Sequence, residues 1–192
     1  MQQTRRHEAP LTSEVLPEPR PRIYLAGPDV FDPRGAQVFA QLKAWCAQEG
    51  LEGVAPTDAQ VEGDGGGDAL AQRIYEGNIR LIREADGVAA NLAAFRGLEP
   101  DSGTVFEVGY AIALGKPVVG YGVPPESYEA RVCAAMPCVR DDQGVAREQG
   151  SGWMVEGLGQ RLNLMLARSV ALEPTAREAL ARLARSLGVR GA

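Results

Sequence analysis

Residues 68–121, DALAQRIYEGNIRLIREADGVAANLAAFRGLEPDSGTVFEVGYAIALGKPVVGY, decide how the chain is read. In their first third, Leu70, Ile74, Ile79, Ile82 and Ala85 fall near one face of a helical period, so residues 68–85 read as a helix. The run GVAANL at 87–92 is short and apolar, as a buried strand is. A polar loop, AAFRGLEPDS, leads into a further helical stretch, GTVFEVGYAIALG at 103–115. Lys116-Pro117 then opens another apolar run, VVGYG. Helix and strand alternate, which is the pattern of a parallel sheet with helices packed against it.

The same alternation extends upstream. Ile23 to Ala26 is an apolar run stopped by Gly27-Pro28, a strand ending in a sharp loop. Residues 35–49 place Val38, Phe39, Leu42, Trp45 and Cys46 at helical spacing, with Gly50 as the C-terminal cap, and Leu51 to Ala55 follow as a short strand. Residues 56–67 form a Gly/Asp-rich loop; the run GDGGGD at 63–68 has no strand before it and carries acidic side chains that repel phosphate, so it reads as a mobile loop or lid. Downstream of residue 123 the pattern is less regular, with helices expected over 154–168 and 174–187. The expectation is an α/β fold: a doubly wound, flavodoxin-like parallel sheet of five strands in the order 2-1-3-4-5, with helices on both faces. Residues 21–192 form that single domain, and the polar, Pro-rich residues 1–20 read as a flexible tail.

Composition narrows the chemistry. The chain has 192 residues, 45% of them hydrophobic and 23% charged, as a globular domain has. Its one histidine, His7, lies in the expected tail, so a Ser-His-Asp triad and a His-ligated zinc site are disfavoured. The net charge of −5 without a basic stripe argues against a nucleic-acid backbone as partner. Cys46, Cys133 and Cys138 are an odd set without framework spacing, which reads as buried free thiols in a reducing compartment. No apolar run approaches the about 20 residues that span a bilayer, and no apolar segment follows Arg5 and Arg6 as in a secretory signal. The expected location is the cytoplasm. Neither a GxGxxG after the first strand nor a GxxxxGK[ST] is present, so a dinucleotide or P-loop site has no support.

In open parallel sheets, ligands bind beyond the carboxyl ends of the strands, where the strand order reverses. The loops expected there are Gly27–Pro33 and Asn91–Ser102, which carry Asp29, Asp32, Asn91, Arg96, Glu99 and Asp101. Glu107 follows early in the next helix among apolar neighbours, with Gly103 and Gly109 on either side allowing close approach. The helix N-terminus favours its ionised form, and burial opposes it. Two readings stand: an ordinary first-turn Glu, or a carboxylate nucleophile for an acetal carbon. Asp101 is either a helix cap or an acceptor for sugar hydroxyls. Tyr24 is either a core residue or a donor that orients a carboxylate across the switch point. Phe31 either packs under its loop or stacks on a flat ligand.

These residues resemble a known family. The stretch 78–121, with its FRG-x-EPD-x-GT-x-FE-x-G pattern, the opening IYLAGPDVF at 23–31 and WMVEGLGQRLNLML at 153–166 are similar to segments of the nucleoside 2-deoxyribosyltransferases, closest to the branch that includes trypanosomatid enzymes. The resemblance implies transfer of 2-deoxyribose between nucleobases of 2′-deoxynucleosides, retaining and ping-pong, through a covalent deoxyribosyl-glutamate. It implies Glu107 as nucleophile, Tyr24 as its orienting partner, Asp101 on the sugar hydroxyls, and Gly27, Asp29, Phe31 and Gly103 around the substrate. Asn78 stands where some members carry a base-contacting Asp. Asn163 matches an Asn that reaches a neighbouring subunit's sugar site, so a homo-oligomer is implied, with no metal or organic cofactor. Related activities on this fold are N-glycoside hydrolysis of 2′-deoxynucleoside 5′-monophosphates and non-catalytic nucleoside sensing. Asp101 opposes a 5′-phosphate by charge, and the intact FE-x-G motif with Tyr24 counts against mere sensing.

Overall fold

The computed structural model describes residues 19–59 and 66–189. The expected tail, but for its last two residues, and residues 63–65 of the Gly-rich run lie outside them. β1 (Arg22–Ala26) is followed by a 3-10 turn (Pro28–Phe31), α1 (Gly35–Gln48), β2 (Glu52–Val54), a second 3-10 turn (Pro56–Asp58), α2 (Asp68–Glu84) and β3 (Gly87–Asn91). Then come α3 (Ser102–Ala113), β4 (Val118–Tyr121), α4 (Tyr128–Ala135), β5 (Cys138–Arg140), β6 (Ala146–Glu148), α5 (Leu164–Ser169), β7 (Ala171–Leu172) and α6 (Ala176–Ser186).

The main sheet has five strands in the order β2-β1-β3-β4-β7, every pair parallel. With β7 as the fifth strand, this is the expected flavodoxin-like order. The strands are apolar apart from Arg22, Glu52 and Asn91 at their ends, because both faces are covered. Alternation along β1 shows it: Tyr24 and Ala26 join the cluster of Ile82, Val88 and Val108 under α2 and α3, whereas Ile23 and Leu25 join Phe39, Leu42, Leu180 and Leu183 under α1 and α6. Gly50 ends α1 at φ 74, the left-handed conformation expected of a glycine past a C-terminus. Asp86, at the amino end of β3, accepts the Arg22 amide at 2.7 Å and so ties β1 to the α2–β3 corner. The Lys116 amine donates to the Arg83 and Ala85 carbonyls, which closes the same corner.

The part after β4 differs from expectation. The helix expected over 154–168 is present only as α5; Gly152 and Gly159 take φ of 76 and 69, and this left-handed backbone cannot continue a helix. In its place an irregular segment is held by Glu156, whose carboxylate accepts from the Asn163 side chain and the Leu164 amide. The antiparallel β5–β6 hairpin and α4 enclose a small cluster of Val132, Ala146 and Val155, separate from the two large ones. Cys46 is buried as expected, and its thiol is pushed up to about 12 by burial. Cys133 and Cys138 are only half-buried, at the edge of the small cluster. No helix among the described residues is long and apolar enough to cross a membrane.

Candidate active site

β1 and β3 are neighbours, yet the chain leaves them in opposite lateral directions, so a crevice opens beyond their carboxyl ends. On the α2/α3 side it holds a cavity of about 530 Å³, a size suited to a small organic ligand. Val30, Phe31, Pro56, Ala59 and Ile74 give it apolar walls, and Asn78, Asp101, Thr104 and Glu107 supply the polar groups.

Glu107 projects from α3, and Tyr24, fully buried in β1, donates its hydroxyl to Glu107 Oε1 at 2.6 Å. A hydrogen bond this short to a carboxylate is a strong one. Even so, burial outweighs it: the Glu107 carboxyl is pushed up to about 7, chiefly by desolvation, against the lowering effect of the Tyr24 bond and with a further raising push from the Asp101 charge. Burial and the neighbouring carboxylate also hold Tyr24 well above the ordinary phenol value, so it stays a donor. A carboxyl raised in this way inside a cleft is characteristic of a functional group.

Asp101 caps α3. Its Oδ2 accepts from the Thr104 amide at 2.9 Å and the Thr104 hydroxyl at 3.1 Å. The cap and the cavity lining coexist, since both donors use one oxygen of the carboxylate. A β-carbon at Gly103 would stand 3.0 Å from that same oxygen. At Gly27 it would stand 2.6 Å from Asp29 Oδ2 and 2.8 Å from Asn91 Cβ, so the backbone passes the mouth of the cavity without room for a side chain.

Phe31 is 57% exposed at the rim and stacks on Phe95, with ring centroids 5.5 Å apart. The Arg96 guanidinium lies over both rings, 5.3 Å and 4.7 Å from their centroids, and Arg96 itself takes φ 53. Asn78 enters from α2, and its side-chain oxygen is buried without a hydrogen-bond partner among the described residues. An orphan acceptor facing a cavity is a place for a ligand donor.

Of the residues singled out in the sequence, Glu107, Asp101, Gly27, Phe31, Asn78 and Gly103 line this one cavity, with Tyr24 beneath it. Asp29 does not line it: its carboxylate accepts from the Asn91 amide at 3.0 Å and 3.2 Å and faces the opposite side of the sheet. Asn163 also lies outside this cavity. It caps α5, accepting the Met165 amide at 3.0 Å and donating to Glu156. Ile74 and Thr104 went unremarked as cavity groups. Helical spacing was the available signal, since Ile74 precedes Asn78 by one turn and Thr104 precedes Glu107 by three residues. Among the described residues, no group of His, Cys, Asp or Glu is placed to hold a metal ion.

A family model described as nucleoside 2-deoxyribosyltransferase matches residues 23–165. The structure of a 2-desoxiribosyltransferase from Leishmania mexicana is similar, with a TM-score of 0.69 and 30% identity, over 86% of this chain and 97% of that one. A conserved protein from Enterococcus faecalis shares the fold, with a TM-score of 0.58 at 17% identity over 88% of this chain and 99% of that one. An uncharacterized protein from Schizosaccharomyces pombe is 37% identical over 122 residues, which are 62% of this chain and 58% of that relative's length.

Proposed function

The chain belongs to the nucleoside 2-deoxyribosyltransferase family, and from that membership we propose that it moves 2-deoxyribose between nucleobases, with Glu107 as the nucleophile. The observation that carries this reading is the Tyr24–Glu107 hydrogen bond of 2.6 Å at the edge of a cavity of about 530 Å³. Tyr24 occupies Oε1, holds the carboxylate in one orientation and leaves Oε2 for C1′ of a bound deoxynucleoside. As the Oε2–C1′ bond forms, the C1′–N bond breaks, and the base departs with the electron pair and takes up a proton. A ring nitrogen of a second base then attacks C1′ from the vacated face, loses its proton and frees the carboxylate. Two inversions give net retention, as in a retaining glycosidase, with a base in the place of water.

The remaining lining groups suit this substrate. The Asp101 carboxylate is directed at sugar hydroxyls, and as an anion it opposes a 5′-phosphate. The unpaired oxygen of Asn78 accepts from an amino or ring N–H group on the base edge. An amide cannot act as a general acid, so the departing base takes its proton from water or from another donor. Phe31, already packed on Phe95, offers an exposed ring at the rim for stacking.

The direct test is to mix 2′-deoxyinosine with adenine and follow the products by chromatography. Deoxyadenosine and hypoxanthine are expected in equal amounts. Absence of transfer with every pairing of purine and pyrimidine bases would refute the assignment.

The proposal extends to a homo-oligomer in which Asn163 approaches a neighbouring subunit's sugar site. Support comes from the apolar surface around it: Trp153, Met154, Leu158 and Met165 are 74%, 63%, 63% and 72% exposed. Light scattering should give a multiple of the 20.4 kDa chain mass, and Met165→Asp should reduce that multiple. A monomer at assay concentration would overturn this part.

A further inference from the structure

A second cavity, of about 410 Å³, opens on the other face of the sheet between α1 and the start of α6. Trp45, Val38 and Leu42 form its wall, Gln37 and Gln41 stand at its rim, and Asp29, Asn91 and Tyr121 form its floor. It shares no lining residue with the cavity that holds Glu107; the two adjoin at the Gly27–Phe31 loop, which gives Asp29 to one and Gly27, Val30 and Phe31 to the other.

The floor carries polar groups. Tyr121 is only 9% exposed, and its hydroxyl, which bonds to no group among the described residues, gives onto the cavity, where solvent reaches it. That hydroxyl can exchange its water for the acceptor atom of a ligand. Beside it, Asp29 is held from behind by Asn91, whose own oxygen accepts the Ala93 amide at 3.2 Å; this fixes which way the Asn91 side chain faces. Burial and the Asp29 charge raise the Tyr121 phenol well above its ordinary value, so it stays neutral and able to donate. The floor therefore presents a donor and an acceptor next to each other beneath an indole wall.

We infer that this cavity is a second binding site, for an uncharged planar N-heterocycle whose edge carries a hydrogen-bond acceptor adjacent to an N–H donor. The lactam edge of hypoxanthine and the amidine edge of cytosine both have that pattern, so free nucleobases are the ligand class. Tyr121 donates to the acceptor atom, Asp29 accepts from the N–H, and Trp45 covers the ring. The Asp29 charge opposes phosphorylated ligands, and Arg34, which also lines the cavity, is engaged with Asp32 through its backbone amide at 2.7 Å and its guanidinium at 3.2 Å.

The test uses Trp45 and is independent of transfer activity. The sequence holds two tryptophans, and Trp153 is 74% exposed, so Trp153→Phe leaves Trp45 as the only indole. Titrating that variant with hypoxanthine and with cytosine should quench Trp45 emission saturably. Tyr121→Phe should weaken the apparent affinity about five- to tenfold, the loss of one hydrogen bond. Asn78→Ala, in the other cavity, should leave it unchanged. Should Tyr121→Phe disturb the fold, Gln41→Phe at the exposed rim fills the mouth and must abolish quenching. The site is refuted by quenching that does not saturate, that survives Tyr121→Phe and Gln41→Phe, or that is lost with Asn78→Ala.

Discussion

Glu107→Gln is expected to lower transfer turnover by about 10⁴- to 10⁶-fold, the scale on which removal of a nucleophile is felt, while making the folded chain more stable in alkaline solution. The first effect follows because an amide oxygen cannot form and then release a glycosyl ester. The second follows from ionisation. In the folded protein the carboxyl titrates at about 7, against an ordinary value of 4.5. Between those values the native state keeps a proton that the unfolded chain has released. Stability is therefore fully present below the lower value and is lost as pH rises through the upper one. The gap amounts to about 3 kcal/mol. Glutamine does not titrate, and its oxygen still accepts from Tyr24. The variant should thus gain about 2–3 kcal/mol over the parent near pH 8 and nothing near pH 4, as urea unfolding would measure. Retained transfer would remove Glu107 from the chemistry, and an equal stability difference at both pH values would show that its carboxyl is not raised.

Tyr24→Phe should act through the pH profile. The Tyr24 hydroxyl lowers the Glu107 pKa from where desolvation alone would place it, so its removal leaves Oε1 without a donor and moves the carboxyl further above about 7. The acid limb of kcat/KM reports this group in the free enzyme. It should rise through about 7 in the parent and at a higher pH in the variant. Near pH 6 the variant is expected to be slower by about 10- to 100-fold, with the deficit shrinking as pH rises and the carboxylate recovers. A role confined to packing would lower the rate equally at every pH. An unshifted limb would therefore show that Tyr24 does not tune its partner.

Much of the fold was legible because its longest elements repeat cleanly. α1, α2 and α3 have apolar positions at helical spacing, and β1, β3 and β4 are uninterrupted apolar runs between turn signals. α4, the β5–β6 hairpin and β7 are short and carry little periodicity, and their positions come from packing that no local pattern encodes. In the WMVEGLGQRLNLML segment the apolar spacing outweighed the glycines when read as sequence, whereas in the structure Gly159 at φ 69 decides. In the active site, topology alone placed Tyr24 opposite some carboxylate across the switch point, and the family resemblance named Glu107 as that partner. The direction of Asp29 was not legible. It depends on Asn91, 62 residues away, drawing the carboxylate to the far side of the sheet. Nor was the exposure of the Tyr121 hydroxyl, since a tyrosine in an apolar strand reads as core and only three-dimensional packing shows that its hydroxyl gives onto a cavity.

The layering of the core has a consequence for synthesis. One face of the sheet is closed by α6, through Ala179, Leu180, Leu183 and Ala184, and these pack on strands made much earlier in the chain. A ribosome adds about 5–20 residues per second, so for seconds after β4 emerges, Ile23, Leu25, Ala89 and Val119 have no helix α6 to cover them. During that interval α1 alone covers this face, and the nascent sheet presents apolar surface beside an unpaired β4 edge, the kind of surface that chaperones bind. Completion of the fold must wait for the last helix, and any lesion that shortens the chain before α6 leaves a product with part of that face open to water.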